Sequence, residues 1–333
     1  MQAVLWTRYG PPESLQPGEL PLPETGARDV LIRVHAATVT AGDCEMRSLR
    51  LPMSLGFPMR VYVGFRRPRR IRVLGQELAG VVEFVGPGVH EFTAGDAVFG
   101  SPGMRLGGYA EYISLSMDSE ETVLARKPGN VSFEEAAAST VGGLEALHFL
   151  RRAGLSQGDA LLVNGAGGSI GTFAIQLAKH YGADVTAVDA TGKLDLLREL
   201  GADHVIDYDR EDFSTDGTRY DAVLDMVGGA SFARCMRVLK TDGGYLVANP
   251  SVGNMLRGGL MRLFSGKRVI GGAGRQRSED LEQIARLLEE GTVRTVIDRR
   301  YPLEGIVEAH RYAETGRKQG NIAISVRDDS ANT

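Results

Sequence analysis

A glycine-rich turn between a strand pattern and a helix pattern sets the strongest limit on how this chain folds. Residues 161–181 read LLVNGAGGSIGTFAIQLAKHY. The apolar run LLV is typical of a buried strand, and apolar residues then recur at helical spacing from Ile170 onward. A helix that begins beside Gly167 and Gly168 directs unpaired backbone N–H groups and its positive dipole end at the turn. Because the glycines leave room for a pyrophosphate, the stretch predicts a nucleotide site.

The next strand of this region ends on an acid. In the register Ala166, Gly168 and Gly171, alanine replaces the first glycine of the dinucleotide fingerprint, so the motif alone is weak. The following strand pattern, DVTAVD, ends at Asp189, about 20 residues after Gly168, where dinucleotide folds place an acid for the adenosine ribose. The alternative is a turn that serves only tight packing of strand on helix. The position of Asp189 favours dinucleotide binding.

Length, charge and cysteine content exclude several classes of protein. The chain has 333 residues, 43% of them hydrophobic, which favours two domains with a large core. A net charge of −4 predicts no nucleic-acid partner. Cys44 and Cys235 form neither a disulfide framework nor a four-thiolate zinc site, which fits a reducing cytoplasm. The start MQAVLW lacks a signal-peptide pattern and no long apolar run follows, so neither export nor a membrane span is predicted.

The order of the patterns predicts an α/β fold with two domains. Early in the chain, short period-two strands separated by Pro and Gly predict an antiparallel, barrel-like domain. Strands LLV, VTAV, HVIDY, AVLDMV and YLVAN then alternate with helices, the last at SFARCMRVLK, which predicts a parallel doubly wound sheet. The barrel domain is assigned to residues 1–126 and 274–333, and the cofactor domain to residues 127–273. Asn130 or Ser132 is expected to cap the first helix of the cofactor domain.

A basic loop is predicted within the barrel domain. Residues 58–72 carry six arginines. Two interpretations stay open at this point. The loop is either a solvated insertion, or a rim that attracts an anionic substrate or the phosphates of the cofactor.

These motifs resemble, in order and over nearly the whole chain, segments of the medium-chain dehydrogenase/reductase superfamily. The segments are GQELAGVVEFVGPGV, GDAVFG, GGYAEY, VNGAGGSIGTFAIQLAK, LRELGADHVIDY, YDAVLDMVG and VIDRRYPLEGIVEAHRYAETGRKQGNIAISV. Within the superfamily, the chain is similar to the zinc-free quinone oxidoreductase-like branch. The resemblance implies a GroES-like β-barrel catalytic domain split around a Rossmann domain, with the active site in the cleft between them. It also implies a homodimer that pairs through a strand at RVIGGAG.

The same resemblance predicts that no metal is bound. The alcohol dehydrogenases of the superfamily hold a catalytic zinc with a Cys, the His of a GHE motif and a further Cys. Here Thr40 and Gln76 occupy the first two positions, and AAASTVGG supplies neither Cys nor His for the third. A catalytic zinc needs about three protein ligands, mostly of N or S type. The sequence therefore predicts zinc-independent chemistry.

Three residues are candidates for catalysis, namely Thr40, Asp43 and Arg47. The segment TAGDCEMR is similar to the Asn-x-x-Asp-x-x-x-Arg segment beside the nicotinamide in this family, with Thr40 in place of Asn. The alternative for Asp43 and Arg47, four residues apart, is an ordinary helical ion pair. Tyr109 and Tyr112 are interpreted as packing aromatics.

The predicted cofactor is NADP(H), with NAD(H) as an alternative. The assigned cofactor-binding residues are Ala166, Gly167, Gly168, Ser169, Ile170, Asp189, Lys193, Tyr208, Val227 and Asn249. At the adenosine end, Asp189 favours the free ribose diol of NAD, whereas Lys193 favours a 2′-phosphate. Lys193 and Tyr208 match residues that contact that phosphate in NADPH-using family members.

The predicted activity is hydride transfer to a conjugated carbonyl, such as a quinone or enone, in a small-molecule substrate. Hydride addition to a simple ketone makes an alkoxide that zinc would stabilise, whereas addition to an enone makes a delocalised enolate that hydrogen-bond donors can support. Two alternatives stay open. One is a zinc-free alcohol or aldehyde dehydrogenase, and the other is a cofactor-binding member of the superfamily without catalysis.

Overall fold

The computed structural model describes residues 1–50, 53–228, 231–248, 266–272 and 274–327, without the side chains of residues 53–55. The strands in this part of the chain are β1 (Gln2–Trp6), β2 (Leu15–Glu19), β3 (Asp29–Thr38), β4 (Leu78–Val85), β5 (Ala97–Ser101), β6 (Tyr112–Ser116), β7 (Val123–Arg126), β8 (Ala160–Asn164), β9 (Asp184–Asp189), β10 (His204–Asp207), β11 (Tyr220–Asp225), β12 (Leu239–Val247), β13 (Arg268–Gly271), β14 (Ile297–Pro302) and β15 (Asn321–Ser325). The α-helices are α1 (Ala41–Ser48), α2 (Met53–Val63), α3 (Phe133–Ala153), α4 (Ser169–His180), α5 (Leu194–Glu199), α6 (Phe232–Val238), α7 (Ser278–Glu289) and α8 (Ile306–Glu314). No helix among the described residues is both long and apolar enough to cross a membrane.

A parallel sheet of six strands forms the second part of the fold. The strand order is β10-β9-β8-β11-β12-β13, and every neighbouring pair is parallel. Helices α4 and α5 connect β8 to β9 and β9 to β10, and α6 connects β11 to β12. This is the doubly wound arrangement predicted from the alternating patterns. The strand predicted at RVIGGAG is β13, at one edge of this sheet.

A mostly antiparallel sheet of seven strands forms the other part. Its order is β14-β15-β3-β4-β5-β7, and β6 pairs with β3. The pair β14 and β15 is parallel, whereas the other pairs are antiparallel. Strands β1 and β2 form a separate antiparallel pair. One core lies among β3, β4 and β5, and a second packs α1, α2 and α8 around the buried Trp6.

The chain forms two compact units. The barrel unit contains residues 1–141, 276–290 and 295–333, and the sheet unit contains residues 142–275 and 291–294. The first division falls within α3, because that helix begins in one unit and ends in the other. The domain boundaries assigned from the sequence, at 127 and 274, remain predictions.

The start of α3 follows the expected capping chemistry. The Ser132 hydroxyl accepts the Glu135 N–H at 3.1 Å, and the Glu135 carboxylate accepts the Ser132 N–H at 2.8 Å. These two bonds form a capping box. Asn130 instead donates to the carbonyl of Leu288 at 3.0 Å, so Ser132 is the cap.

Two local predictions were wrong. Residues 58–63 are not loop but the second half of α2, because Met59 and Val63 are buried in the core on one face of the helix. The helix predicted at SFARCMRVLK ends at Val238, and β12 begins at Leu239. Leu239 pairs with Tyr220 of β11, so pairing within the sheet overrides the helical spacing there.

Candidate active site

The glycine turn lies at the switch point of the parallel sheet. Strand β8 ends at Asn164, and α4 begins at Ser169 after the turn 165–168. The neighbours β8 and β11 are the two strands at which the strand order reverses. Ligands of open α/β sheets bind at such points, beyond the carboxyl ends of the strands. The fold therefore brings the turn to the same edge of the sheet as Asp189, which ends β9, and Asp225, which ends β11.

Gly168 leaves open space at the start of α4. It is the N-cap residue, with a φ of −88°, and no side chain among the described residues caps the helix. Apart from its chain neighbours, the nearest atom to a Cβ built at Gly168 is the Gly165 carbonyl oxygen, 3.8 Å away. The first N–H groups of the helix, beginning at Ser169 and Ile170, have no partner within an α-helix. Such N–H groups and the helix dipole stabilise a bound phosphate.

Gly171 has a different role from Gly168. A Cβ at Gly171 would clash with the carbonyl oxygen and Cα of Ala166. Ala166 is buried, and its N–H donates to the Val188 carbonyl at 3.1 Å. The third position of the fingerprint thus serves close packing of α4, whereas the second leaves room beside the helix end.

Three donors hold the carboxylate of Asp189. Oδ2 accepts the Gly167 N–H at 2.7 Å, and Oδ1 accepts the Ala190 N–H at 2.8 Å. Lys193 Nζ lies 3.1 Å from Oδ1. The side chain of Lys193 is only 13% exposed, and that of Asp189 only 7%. The acid and the lysine that favour different cofactors therefore form a partly buried ion pair.

Tyr208 is exposed beside the end of β9, and Val227 is exposed beside Gly165 of the glycine turn. Tyr208 is 53% exposed, and its N–H donates to the Asp189 carbonyl at 3.3 Å. Val227 is 64% exposed and lies in the loop after β11. Asn249, which the sequence also assigned to the cofactor, lies outside the described residues. The other assigned positions occur at the glycine turn, the first turn of α4, the end of β9 and, for Lys193, the turn just before α5.

Sequence reasoning missed the role of Asp225. Its buried carboxylate accepts from Asn164 Nδ2 at 2.9 Å, from the Tyr245 hydroxyl at 2.6 Å and from the Ser231 hydroxyl. The Val227 N–H also donates to it, at 3.1 Å. Asp225 therefore ties the loop after β11 to the end of β8. The signal was present, because an acid ends the otherwise apolar strand AVLD.

In the barrel unit, Thr40 and Asp43 form a capping box at the start of α1. Thr40 Oγ1 accepts the Asp43 N–H at 3.0 Å, and Asp43 Oδ2 accepts the Thr40 N–H at 3.0 Å. Asp43 Oδ1 accepts the Gly75 N–H at 3.2 Å. Burial raises the pKa of Asp43 to about 6, although these hydrogen bonds lower it. Thr40 is partly exposed, whereas Asp43 is fully buried.

Arg47 is buried and pairs with Glu314, not with Asp43. Its Nη1 donates to the Gly10 carbonyl at 2.7 Å, and its Nη2 donates to the Glu314 carboxylate. The helical ion pair that the spacing suggested is therefore replaced by a long-range one. Arg47 joins α1 to the end of α8.

Glu77 is a second fully buried carboxylate in the barrel unit. Oε1 accepts the Val141 N–H at 2.6 Å, and Oε2 accepts the Thr38 hydroxyl. Burial raises the pKa of Glu77 to about 7, a net value to which the hydrogen bonds from Thr38 and Val141 contribute a decrease and the nearby charge of Asp43 a smaller increase. The Tyr109 hydroxyl donates to the Thr38 carbonyl at 3.0 Å, so this aromatic ring is buried beside the two acids.

In this chain, the positions that hold the zinc ligands in the related alcohol dehydrogenases carry residues that bind zinc poorly or have a structural role. Thr40 caps α1, Gln76 precedes the buried Glu77, and AAASTVGG lies within α3. Within the part of the chain that the structure describes, no three His, Cys, Asp or Glu side chains are placed to hold a metal ion.

Comparison with known proteins fixes the family. Residues 26–127 match the alcohol dehydrogenase GroES-like domain, and residues 200–324 match the zinc-binding dehydrogenase domain. The chain is 33% identical to the 2-methylene-furan-3-one reductase of Solanum lycopersicum, over 97% of this chain and 79% of that protein. The chain belongs to the medium-chain dehydrogenase/reductase superfamily.

Two further members support the branch and the fold. The chain is 31% identical to the NADPH-dependent alkenal/one oxidoreductase of Arabidopsis thaliana, over 97% of this chain and 79% of that protein. The solved quinone oxidoreductase of Coxiella burnetii superposes with a TM-score of 0.85 at 30% identity, over 98% of this chain and 99% of that one. The predicted GroES-like and Rossmann domains and the quinone oxidoreductase-like branch are confirmed.

Proposed function

We propose that this superfamily member is an NAD(P)H-dependent oxidoreductase that transfers hydride to a conjugated carbonyl, a quinone or an enone, without zinc. The observation that carries the proposal is the open, uncapped start of α4 at Gly168, at the switch point of a parallel sheet. The names of the tomato and Arabidopsis relatives support the acceptor class.

The choice of acceptor follows from the side chains at the zinc-ligand positions. Neither the hydroxyl of Thr40 nor the amide of Gln76 is a customary zinc ligand. Reduction of a saturated ketone localises negative charge on one oxygen, which calls for a strong electrophile. Reduction of an enone or quinone spreads that charge over several atoms, and fixed hydrogen-bond donors are sufficient.

The residues of the chain have distinct tasks in this proposal. The N–H groups at the start of α4 bind the pyrophosphate, and Lys193 and Tyr208 contact the 2′-phosphate. When bound, the nicotinamide supplies the hydride. Thr40 is the partly exposed member of the three catalytic candidates, and its hydroxyl, which donates to Asp43 Oδ2 at 2.7 Å, is assigned to contact the hydride-accepting substrate. Asp43 and Arg47 position α1 from within the core.

A substrate panel tests the proposal. Oxidation of NADPH and NADH is followed with a quinone, an enone and a saturated aldehyde of matched size, and a reaction without acceptor serves as the blank. Turnover of the quinone or the enone is expected. Turnover of the aldehyde alone would contradict the proposal, and cofactor binding without turnover of any acceptor would indicate a non-catalytic member.

Chelation is expected to leave activity unchanged. Because Thr40 and Gln76 replace two ligands of the catalytic zinc, the purified protein should contain less than stoichiometric metal. Metal content is measured by plasma mass spectrometry, and turnover is compared before and after dialysis against a chelator. One zinc per chain, lost together with activity and restored with it, would contradict zinc independence.

Lys193→Ala is expected to raise the Michaelis constant for NADPH on the order of tenfold while changing that for NADH little. Removal of the ammonium loses its attraction for a 2′-phosphate and leaves the Asp189 carboxylate unneutralised, and the two changes together are worth roughly 1–2 kcal/mol in a partly screened site. Lys240→Ala is the matched control, since Lys240 pairs with Asp221 at 2.7 Å elsewhere in the same unit. A wild-type preference for NADH with Lys193→Ala silent would show that Asp189 governs the choice.

The proposal includes a homodimer in a reducing compartment such as the cytoplasm. Strand β13 lies at the edge of the sheet, where its outer backbone groups can pair with a second copy. Cys44 and Cys235 are both free and buried, which fits a reducing environment. Light scattering coupled to size exclusion tests the dimer, and a monomeric mass at micromolar concentration would contradict it.

A further inference from the structure

Residues 57–72, here called the basic–apolar segment, present large apolar side chains to solvent. Phe57, Val61 and Phe65 are 62%, 65% and 62% exposed. They are three of the seven large apolar side chains that are exposed among the described residues, and they fall within nine positions of one another. Clusters of exposed apolar groups usually mark an interaction surface, whereas single ones do not.

The first part of the segment belongs to α2, and the buried face of that helix anchors it. Met59 and Val63 of α2 are 7% and 0% exposed and belong to the core around Trp6. Phe57 and Val61 are also one helical turn apart, on the outward side. The helix is therefore apolar on both its buried and its exposed face, and the core interaction holds the exposed face in place.

The same segment is strongly positive. No acidic residue occurs between Arg47 and Gln76, although the whole chain has a net charge of −4. Six arginines of the segment are exposed, and none of them forms an ion pair with a described residue: Arg60, Arg66, Arg67, Arg69, Arg70 and Arg72. The charge is therefore available to an external anionic partner.

Internal contacts order the segment beyond the end of α2. Arg60 Nη1 donates to the Phe65 carbonyl at 3.2 Å, and the N–H of Arg69 donates to the Val63 carbonyl at 3.0 Å. The Arg70 guanidinium lies 4.2 Å from the centre of the Tyr62 ring. These contacts give the chain that follows α2 a defined conformation, with Arg60 and Arg70 held against neighbouring residues of the same segment.

We propose that the basic–apolar segment docks this protein on the surface of an anionic phospholipid bilayer. Phe57, Val61 and Phe65 enter the boundary between headgroups and acyl chains, and the arginines contact lipid phosphates. An exposed helix face of this composition gains energy from both parts of such a surface, from apolar burial and from the negative surface potential. This peripheral attachment needs no membrane-spanning helix.

Two other occupants fit the segment less well. A nucleic acid would attract the arginines, but it would bury little of the aliphatic and aromatic surface at Phe57 and Val61. A second copy of the chain would cover the apolar groups, but a symmetric contact would bring two sets of six arginines together. The bilayer surface satisfies both features at once.

Vesicle flotation with the full-length protein tests the proposal. Wild type is expected to float with vesicles made of equal parts of phosphatidylcholine and phosphatidylserine, and not with phosphatidylcholine alone. Because one arginine near an anionic surface contributes on the order of fivefold in partitioning, Arg66→Gln with Arg69→Gln should lower the partition coefficient roughly thirtyfold. Phe57→Ser with Phe65→Ser should lower it on the order of tenfold or more.

Matched control pairs separate docking from general changes in charge and polarity. Arg286→Gln with Arg317→Gln removes the same charge from exposed positions outside the segment. Leu22→Ser with Phe84→Ser removes apolar groups that are 58% and 51% exposed elsewhere. Both control pairs are expected to float as wild type does. The melting temperature of every variant, followed by the fluorescence of Trp6, confirms that the barrel unit is folded.

Three results would overturn the proposal. The first is equal flotation of wild type with neutral and anionic vesicles, or none with either. The second is a combination of two findings. The Phe57→Ser/Phe65→Ser variant floats like wild type, whereas the arginine variant neither floats nor retains a single-stranded RNA homopolymer. That pattern would indicate a site for polyanions in general. The third is a change of oligomeric mass in the serine variant, because that would place the apolar face between copies of the chain.

Discussion

Gly168→Val is expected to abolish NADPH binding while the protein remains folded. The valine side chain would occupy the open space beside the first N–H groups of α4, where, among the described residues and apart from its chain neighbours, only the Gly165 carbonyl oxygen lies within 4 Å of a Cβ. The backbone of Gly168 is extended, with φ −88° and ψ −179°, a conformation that valine prefers. The loss of the pyrophosphate contact should therefore weaken binding by about 3 kcal/mol or more, roughly a hundredfold in Kd.

Two other glycines provide matched comparisons for this variant. Gly129→Val adds the same side chain to an open turn in the other unit and should leave both binding and folding unchanged. Gly171→Val should instead lower the melting temperature, because its Cβ clashes with the Ala166 backbone and overpacking costs roughly 1–3 kcal/mol. Titration calorimetry with NADPH and thermal unfolding are measured for all three. Normal NADPH affinity in folded Gly168→Val would place the pyrophosphate elsewhere.

Part of the candidate site could be predicted from the sequence, and part of it could not. A strand run, glycines and a helical stripe are local patterns, so the turn and the acid at Asp189 could be found without a structure. The ion pair between Asp189 and Lys193 was not predicted, since it depends on how the backbone turns after β9. The sequence alone predicts opposite effects of these two residues on cofactor choice, whereas in the structure their charges neutralise each other.

Long-range contacts explain most of what the sequence did not reveal. The partner of Arg47 is Glu314, which lies 267 residues further along the chain, and no local spacing can indicate that contact. Helix α2 was missed because Pro58 and Gly64 are strong local breakers, whereas burial of Met59 and Val63 decides the outcome. Both cases are tertiary effects that override local propensity.

The free energy of unfolding of the barrel unit is expected to fall as pH rises from about 5 to about 8. Asp43 and Glu77 are fully buried, and burial raises their pKa values from 3.8 to about 6 and from 4.5 to about 7. In the unfolded chain both acids lose their protons at lower pH than in the folded protein. The folded state therefore holds more protons in this window, and its stability decreases as the pH passes through the folded pKa values.

His310 opposes this trend over part of the window. Burial lowers its pKa from 6.5 to about 3, so the unfolded state binds the additional proton and the folded state loses stability as the pH falls below 6.5. Within this pH window the pKa shifts of the two acids together cover more pH units than the shift of His310, and each unit is worth about 1.4 kcal/mol. The two acids therefore outweigh the one imidazole. A net loss of roughly 2 kcal/mol between about pH 5 and about pH 8 is expected.

Glu77→Gln is expected to remove most of this decrease and to raise stability at the alkaline end of the window. The glutamine oxygen can still accept the Val141 N–H, and its amide can donate to the Thr38 hydroxyl, so the variant imitates the protonated acid. Urea unfolding is followed by the fluorescence of Trp6, which is the only tryptophan of the chain and is buried in the barrel unit. The fluorescence of Trp6 therefore reports the unfolding of the barrel unit and not that of the parallel sheet.

Glu282→Gln is the matched control, since Glu282 is exposed on α7 and its replacement should leave the pH profile parallel to that of wild type. With the Asp43 and His310 contributions nearly cancelling, the Glu77→Gln profile should be close to flat. A wild-type profile that rises with pH, or an unchanged slope in Glu77→Gln, would show that Glu77 is ionised in the folded protein. In that case the Val141 N–H and the Thr38 hydroxyl would compensate for its burial, and Glu77 would carry a fixed negative charge inside the barrel unit.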